Sequence, residues 1–417
     1  MSRSHLPTKF GPWFAAIACG VSAVVVAPVA LGQYGLKAIE RAQETALSAA
    51  DDAGCDRMDE RERRRCERDA KIRVAAAARR DEEARHVSRR YHRELARALV
   101  EENTPRSLVL AALLWTDAVG EGDAAAWPRG DAADVEANRW RAEARMRAND
   151  DPVALLLTMG REANPRKTGD DATVARWRAV DPKNLTPWMY DLADEATALT
   201  SDSAAEPPLR DGFFDVARAT ERFDLYFDDV VRETTLAVRR HPPSASMRKT
   251  LFAPDYPNLD AYAYGLGTAL WASAAVPSFM PLVQACKGEP LRATPTRAAD
   301  CRAMAGLLRE RSDTMFGRLF GIALVRRAAT DDAERLAIKD ERRREDWRMA
   351  QWREAMLLDP DGTSMHTTAR LLESADISEM ALMDAAIARA GLSSEPPPDW
   401  DSGYQFPDER EAAESSP

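Results

Sequence analysis

Residues 176–199, RWRAVDPKNLTPWMYDLADEATAL, decide the fold class. The stretch predicts one helix ending near Val180, a break at Asp181-Pro182, and a second helix opening at Thr186-Pro187. Threonine at an N-cap accepts a hydrogen bond from an orphaned backbone N–H. Proline at the first helical position forfeits nothing, because its missing N–H had no partner there. Trp177 and Trp188 place a large apolar group on each side of the break.

The same grammar repeats outward. Helices are expected at about 133–148, 153–163, 171–180 and 187–199. Further ones are expected at about 211–221, 225–239, 260–275, 297–310, 313–329, 332–357, 364–373 and 378–390, the last stopped by Gly391. Thr104-Pro105 opens a buried helix through LVLAALLW, too short to span a bilayer. Alanine is abundant and no run alternates with period two, so the fold class is all-α. Four regions succeed the first 32 residues: a charged helical segment at 33–100, a helical-hairpin domain at 101–240, a second helical region at 241–392, and a disordered acidic tail at 393–417.

Residues 1–32 read as a signal peptide or signal anchor. Arg3, His5 and Lys9 precede an uncharged run from Trp13 to Leu31. Pro28, Ala30 and Gly32 suit cleavage before Gln33, while the run is also just long enough to span a bilayer. Either way the body is expected on the non-cytoplasmic side of the cell envelope, because the positive flank stays inside. Ala261–Cys286 is also uncharged, but Gly265, Gly267, Pro277 and Pro281 interrupt it, so it reads as core.

The net charge of -10 is unevenly placed: Glu395–Pro417 holds seven acids against Arg410, whereas Asp56–Val100 holds fifteen bases against ten acids. No region combines strong positive charge with interleaved aromatics, which argues against nucleic acid. The 56–100 stretch has no Gly or Pro and only Val87, Tyr91, Leu95 and Leu99 as an apolar stripe. It predicts a long, mostly solvated helix that docks by its last turns.

Asp-Pro breaks recur at 151–152, 181–182 and 359–360. Trp352, Ala355 and Pro360 fit the aromatic, alanine, proline spacing that closes a tetratricopeptide unit, and Trp188 stands six residues after Pro182, where such a unit restarts. With Trp177, these residues make 133–200 and 335–375 resemble degenerate tetratricopeptide repeats; Leu192 and Arg348 replace the small residues of the motif. The resemblance implies stacked helical hairpins, as an α-solenoid or an irregular array, and protein binding. It implies no catalytic residue.

Chemistry-bearing patterns are sparse. Ser246-Met247-Arg248-Lys249 matches S-x-x-K, but Lys167-Thr168-Gly169 precedes it, the reverse of the order in penicillin-recognising enzymes. His86 and His92 lie on different helix faces. Asp224 and Asp228, with Asp229 and Glu221, are flanked by Arg218, Arg222 and Arg232 and read as an ion-paired surface; Phe213, Phe214, Phe223 and Phe227 read as core. No catalytic, cofactor or metal site is expected. Cys286 and Cys301 flank a proline-containing loop and suit a disulfide, whereas Cys55 and Cys66 pair only if Cys55 lies outside the helix.

The functional expectation is an exported or membrane-tethered scaffold that binds an envelope protein or peptide through a helical groove, with Arg335–Arg353 as a charged contact surface. Residues 13–31 hold it to the membrane if uncleaved. The rival readings are a membrane-proximal spacer and an enzyme on a helical fold.

Overall fold

The computed structural model describes residues 59–119, 132–159, 171–190, 209, 212–252, 258–274, 277, 279–287, 291, 296–357, 371, 377–404 and 406. These are mostly helical and include no strand. The first long element, α1, is Glu60–Glu102. Asp59 caps it by accepting the N–H groups of Arg61 and Glu62, each at 2.9 Å. Asn103 ends it in a left-handed conformation. Thr104 and Ser107 then bond reciprocally, as a capping box does, and launch α2, Pro105–Val119.

The chain divides into two compact units, Met1–His86 with Val119–Gly130 and Val87–Ala118 with Asp131–Pro417. In the first, α1 is mostly exposed along 60–86 and Cys66 is disulfide-bonded, its partner lying outside the described residues. Cys55 lies outside them too.

The second unit holds α3 (Ala132–Arg147), α4 (Pro152–Met159), α5 (Asp171–Val180), α6 (Thr186–Met189), α7 (Phe213–Ala219) and α8 (Phe227–Arg240). It continues with α9 (Ala245–Leu251), α10 (Leu259–Ala274), α11 (Met280–Ala285), α12 (Arg297–Arg311), α13 (Met315–Ala328), α14 (Asp332–Leu357) and α15 (Glu379–Arg389). Its core takes Tyr91, Leu95 and Leu99 from α1, Leu108–Leu114 from α2, and Val153–Leu157 from α4. Trp177, Phe223 and Phe227 are fully enclosed.

Two helix pairs pack backbone to backbone through glycine. On α13, a Cβ at Gly321 would stand 2.5 Å from the Arg309 nitrogen of α12. On α10, a Cβ at Gly267 would stand 2.9 Å from the Val231 Cα of α8. Both positions fall outside the stretches that resemble tetratricopeptide units. α8 and α10 also lie on opposite sides of the expected 240/241 division, yet they pack within one unit.

Several expectations are corrected. The helix expected at 187–199 runs only Thr186–Met189 before Tyr190 turns; the residues after Tyr190 lie outside the described set. Thr186 does not cap it: its hydroxyl donates to the Asp224 carbonyl at 2.8 Å, because a neighbouring chain segment supplies an acceptor that sequence spacing does not reveal. The helix expected from 225 begins at Phe227, since Tyr226, at its N-cap, is left-handed at φ 52°. Residues 393–404 pack along α14, and Phe406 is buried beside Arg326 of α13.

A disulfide joins Cys286 to Cys301, with Cα atoms 5.8 Å apart, and ties the end of α11 to the first turns of α12. No helix among the described residues is long and apolar enough to cross a membrane. Trp13–Leu31, Pro360 and the helix expected at 187–199 beyond Tyr190 are outside them, as is nearly all of the one expected at 364–373.

Candidate functional site

Two arrangements concentrate polar chemistry. In the first, three short connections that each lead into a helix lie side by side: 183–185 before α6, 221–226 before α8, and 312–314 before α13. Isolated parallel bridges join Asn184 to Arg222 and Phe223 to Ser312. Leu185 N–H donates to the Arg222 carbonyl at 2.9 Å, and Phe223 N–H donates to the Arg311 carbonyl at 3.0 Å.

Such isolated bridges leave many backbone groups unmatched, and buried side chains complete them. The Asn184 side-chain oxygen accepts the N–H groups of Thr186 and Asp224, both at 3.0 Å. Its amide donates to the Asp224 carbonyl at 2.9 Å and the Tyr226 hydroxyl at 3.0 Å. The Tyr226 hydroxyl donates to Asp181 at 2.5 Å and accepts from the Trp177 indole at 3.0 Å. Arg222 also bonds Asp181, at 2.6 Å. Asp313 accepts Leu225 N–H at 3.0 Å and Phe227 N–H at 3.1 Å, one on each oxygen, so it caps the start of α8.

Burial raises the carboxyls of both Asp224 and Asp313, and a hydrogen bond links the two. Neighbouring negative charge adds to the rise at Asp313, while the two backbone donors oppose it. Two facing carboxyls in a low-dielectric site favour holding a proton between them. A cavity of about 490 Å³, lined by Glu221, Arg222 and Arg311, opens beside this junction. The junction can store a proton and fix three helix starts. Asp313 gives both oxygens to backbone donors, Asp181 bonds Arg222 and the Tyr226 hydroxyl, and Asp224 bonds Tyr226 N–H and lies 3.5 Å from Arg222.

The second arrangement is a helical face carrying the C-terminal segment, which turns where Trp400 N–H donates to the Pro397 carbonyl at 3.0 Å. Residues 393–406, SSEPPPDWDSGYQF, come after α15 and a turn in which Leu392 N–H donates to the Ile387 carbonyl. Arg343 donates to the carbonyls of Pro397 at 3.0 Å and Trp400 at 3.4 Å, and the Trp347 indole donates to the Ser393 carbonyl at 2.9 Å. Trp400 packs edge-on against Trp347, with centroids 5.1 Å apart. The Arg342 guanidinium lies 3.8 Å from the Tyr404 ring centroid, and Arg326 of α13 lies 5.0 Å from that of Phe406.

Arg342 is only 3% exposed and pairs with Asp346 at 2.9 Å. Burial raises Asp346, against the pull of Arg342 and a hydrogen bond from Ser402. The pair is thus covered by the peptide, with Tyr404 on one partner and Ser402 on the other.

The charged surface expected at Arg335–Arg353 is largely used within the chain. Arg335 pairs with Asp332, Arg343 and Arg344 with Asp340, and Arg348 with Glu345 and Asp384. Arg318 of α13 reaches Glu345 at 2.8 Å. The sequence shows a row of charges; packing of α13 and α15 on α14 turns much of it inward.

Trp177, Pro182 and Trp188 come together at the α5–α6 junction. Trp177 is buried in the hydrogen-bonded cluster, Pro182 is exposed in the turn, and Arg178 lies 4.1 Å over the Trp188 ring. Trp352 and Ala355 belong to a different element, α14, where Ala355 is buried.

The Asp224–Asp229 cluster is partly the ion-paired surface expected: Asp229 binds Arg232 at 2.6 Å, and Asp228 is 3.6 Å from it. Asp224 instead turns into the junction. Ser244, not Ser246, caps α9, and Ser246 and Lys249 are exposed. Asn184, Tyr226 and Asp313 carry no sequence signal, because they meet from three separate segments. The C-terminal aromatics do carry one: Trp400, Tyr404 and Phe406 are costly to leave in water.

No protein-family model, no curated protein and no solved structure matches the chain.

Proposed function

We propose that this chain is an exported or membrane-tethered helical scaffold, built from tetratricopeptide-like hairpins, that binds a segment of another envelope protein. The supporting observation is its own C-terminal segment, described over 393–404 and at Phe406, which packs on α14 and α13 and turns at 397–400. Side chains of α14 hold it largely by its backbone carbonyls. A helical face that receives one peptide through carbonyl and aromatic contacts has the chemistry to receive another. The export segment at 13–31 and the resemblance carried by Trp177, Pro182, Trp188, Trp352, Ala355 and Pro360 supply the setting. The partner's segment is expected to be acidic, so affinity falls as salt rises.

The test is crosslinked capture from envelope extract by the purified chain at low and high salt. A specific partner, retained at low salt and lost at high salt, is expected. Turnover of a small-molecule panel with no captured partner would replace the scaffold with an enzyme.

A further inference from the structure

The segment 393–406 is acidic: Glu395, Asp399 and Asp401 stand against no base. The face beneath it presents Arg326, Arg342 and Arg343. Three features make this face a reader of peptide sequence. Arg343 holds the Pro397 and Trp400 carbonyls, which the turn at 397–400 brings together, and the Trp347 indole holds the Ser393 carbonyl. Trp347 meets an aromatic at position 400, and two guanidiniums lie over aromatics at 404 and 406. Arg342 and Asp346 form a preset ion pair, which keeps the guanidinium plane in place for stacking.

We infer that the α13–α14 face under the C-terminal segment is a binding site for an acidic, turn-forming peptide of another protein with aromatic residues at W-x-x-x-Y-x-F spacing, kept closed in the free chain by that segment. This rests on the scaffold reading and names its ligand and its regulation. The segment is joined to the face by side-chain contacts, not by a strand ladder, so its release breaks no secondary structure. Its root stays fixed, because Gly391 and Leu392 bond back to the last turn of α15. A root held in that way favours displacement of the segment by a partner over its exchange with a second copy. A tether this short sets an effective concentration of roughly millimolar, so the segment competes strongly with any free peptide.

The experiment uses the full chain and a labelled synthetic peptide, SSEPPPDWDSGYQF, monitored by fluorescence anisotropy. A Trp400→Ala/Tyr404→Ala variant, with the competing segment weakened, should bind the peptide roughly tenfold or more tightly than wild type. Adding Arg343→Ala should weaken that binding roughly tenfold, and a peptide with its three aromatics replaced by alanine should not bind. Equal binding by wild type and the opened variant overturns the site.

Should the opened variant fail to fold, hydrogen exchange on wild type decides. Excess peptide should expose the 393–406 amides while α14 stays protected, and unchanged exchange overturns the proposal. A wild-type dimer dissolved by the peptide would overturn the partner and make a second copy the occupant. Failure here is distinct from failure of the scaffold reading: a captured envelope partner indifferent to the Trp400 and Tyr404 substitutions keeps the scaffold and removes this site.

Discussion

At the residue scale, the most informative group is the Asp224–Asp313 pair. Burial raises both carboxyls, and it also pushes Asp228 to about 6 and Glu379 to about 7. Asp229 adds to the rise at Asp228, and the Met315 N–H opposes it at Glu379. A carboxyl raised on folding binds its proton more tightly in the native state. Its stabilising effect is therefore present at and below the ordinary carboxylate range and is lost as pH rises through the raised value. Thermal unfolding should show a lower midpoint at pH 8 than at pH 5. Asp224→Asn should flatten this slope, since an amide can donate to Asp313 without adding charge. A variant with the wild-type slope would remove the pair as its cause. Gly321 is the second such residue. A methyl there meets the Arg309 and Ala305 backbone, so Gly321→Ala should destabilise by about 1–3 kcal/mol despite better helix propensity. A denaturant midpoint at or above wild type would refute the close contact.

At the element scale, helix identity and most helix ends were legible: the helices expected at 171–180 and 332–357 run Asp171–Val180 and Asp332–Leu357. Thr104-Pro105, Asp151-Pro152 and Ser378 cap or open helices as their sequences suggest. Thr186 does not, because the 222–226 segment competes for its hydroxyl. The α11–α12 connection adds a covalent element. Closing a loop with a sequence separation of 15 limits the unfolded chain and should contribute about 3 kcal/mol. Cys301→Ala with Cys286→Ala should lower the denaturant midpoint accordingly, and reduction should not lower it further through this bridge. Alkylation of both thiols in folded, oxidised wild-type protein would show that the bridge does not form. The α14 helix carries the opposite lesson. Its Arg/Glu row suggested a charged contact surface, yet Arg342 and Glu345 are each 3% exposed, because partners on α13, α14 itself and the C-terminal segment neutralise and cover them.

At the scale of the whole molecule, alkaline phosphatase fused after Val100 should be active, since the basic flank and apolar run at 1–32 are expected to carry the residues beyond them out of the cytoplasm. An intact but inactive fusion would return that run to the core of the fold. The helical fold class was written in the sequence by itself. Helix caps, proline breaks and the lack of period-two runs are local signals, and local signals survive without knowledge of neighbours. The packing of helix pairs through Gly321 and Gly267 was not legible, because a glycine inside a helix reads only as a weak point until the opposing backbone is known. The three-segment junction was equally hidden: Asp181, Asn184, Tyr226 and Asp313 are far apart in the chain and meet only when α6, α8 and α13 begin side by side. The C-terminal segment lies between these cases. Its prolines and acids read as disorder in the sequence. Only the tertiary structure places Trp347, Arg342 and Arg326 beneath Trp400, Tyr404 and Phe406, because the helices that supply them are distant from the tail in the chain.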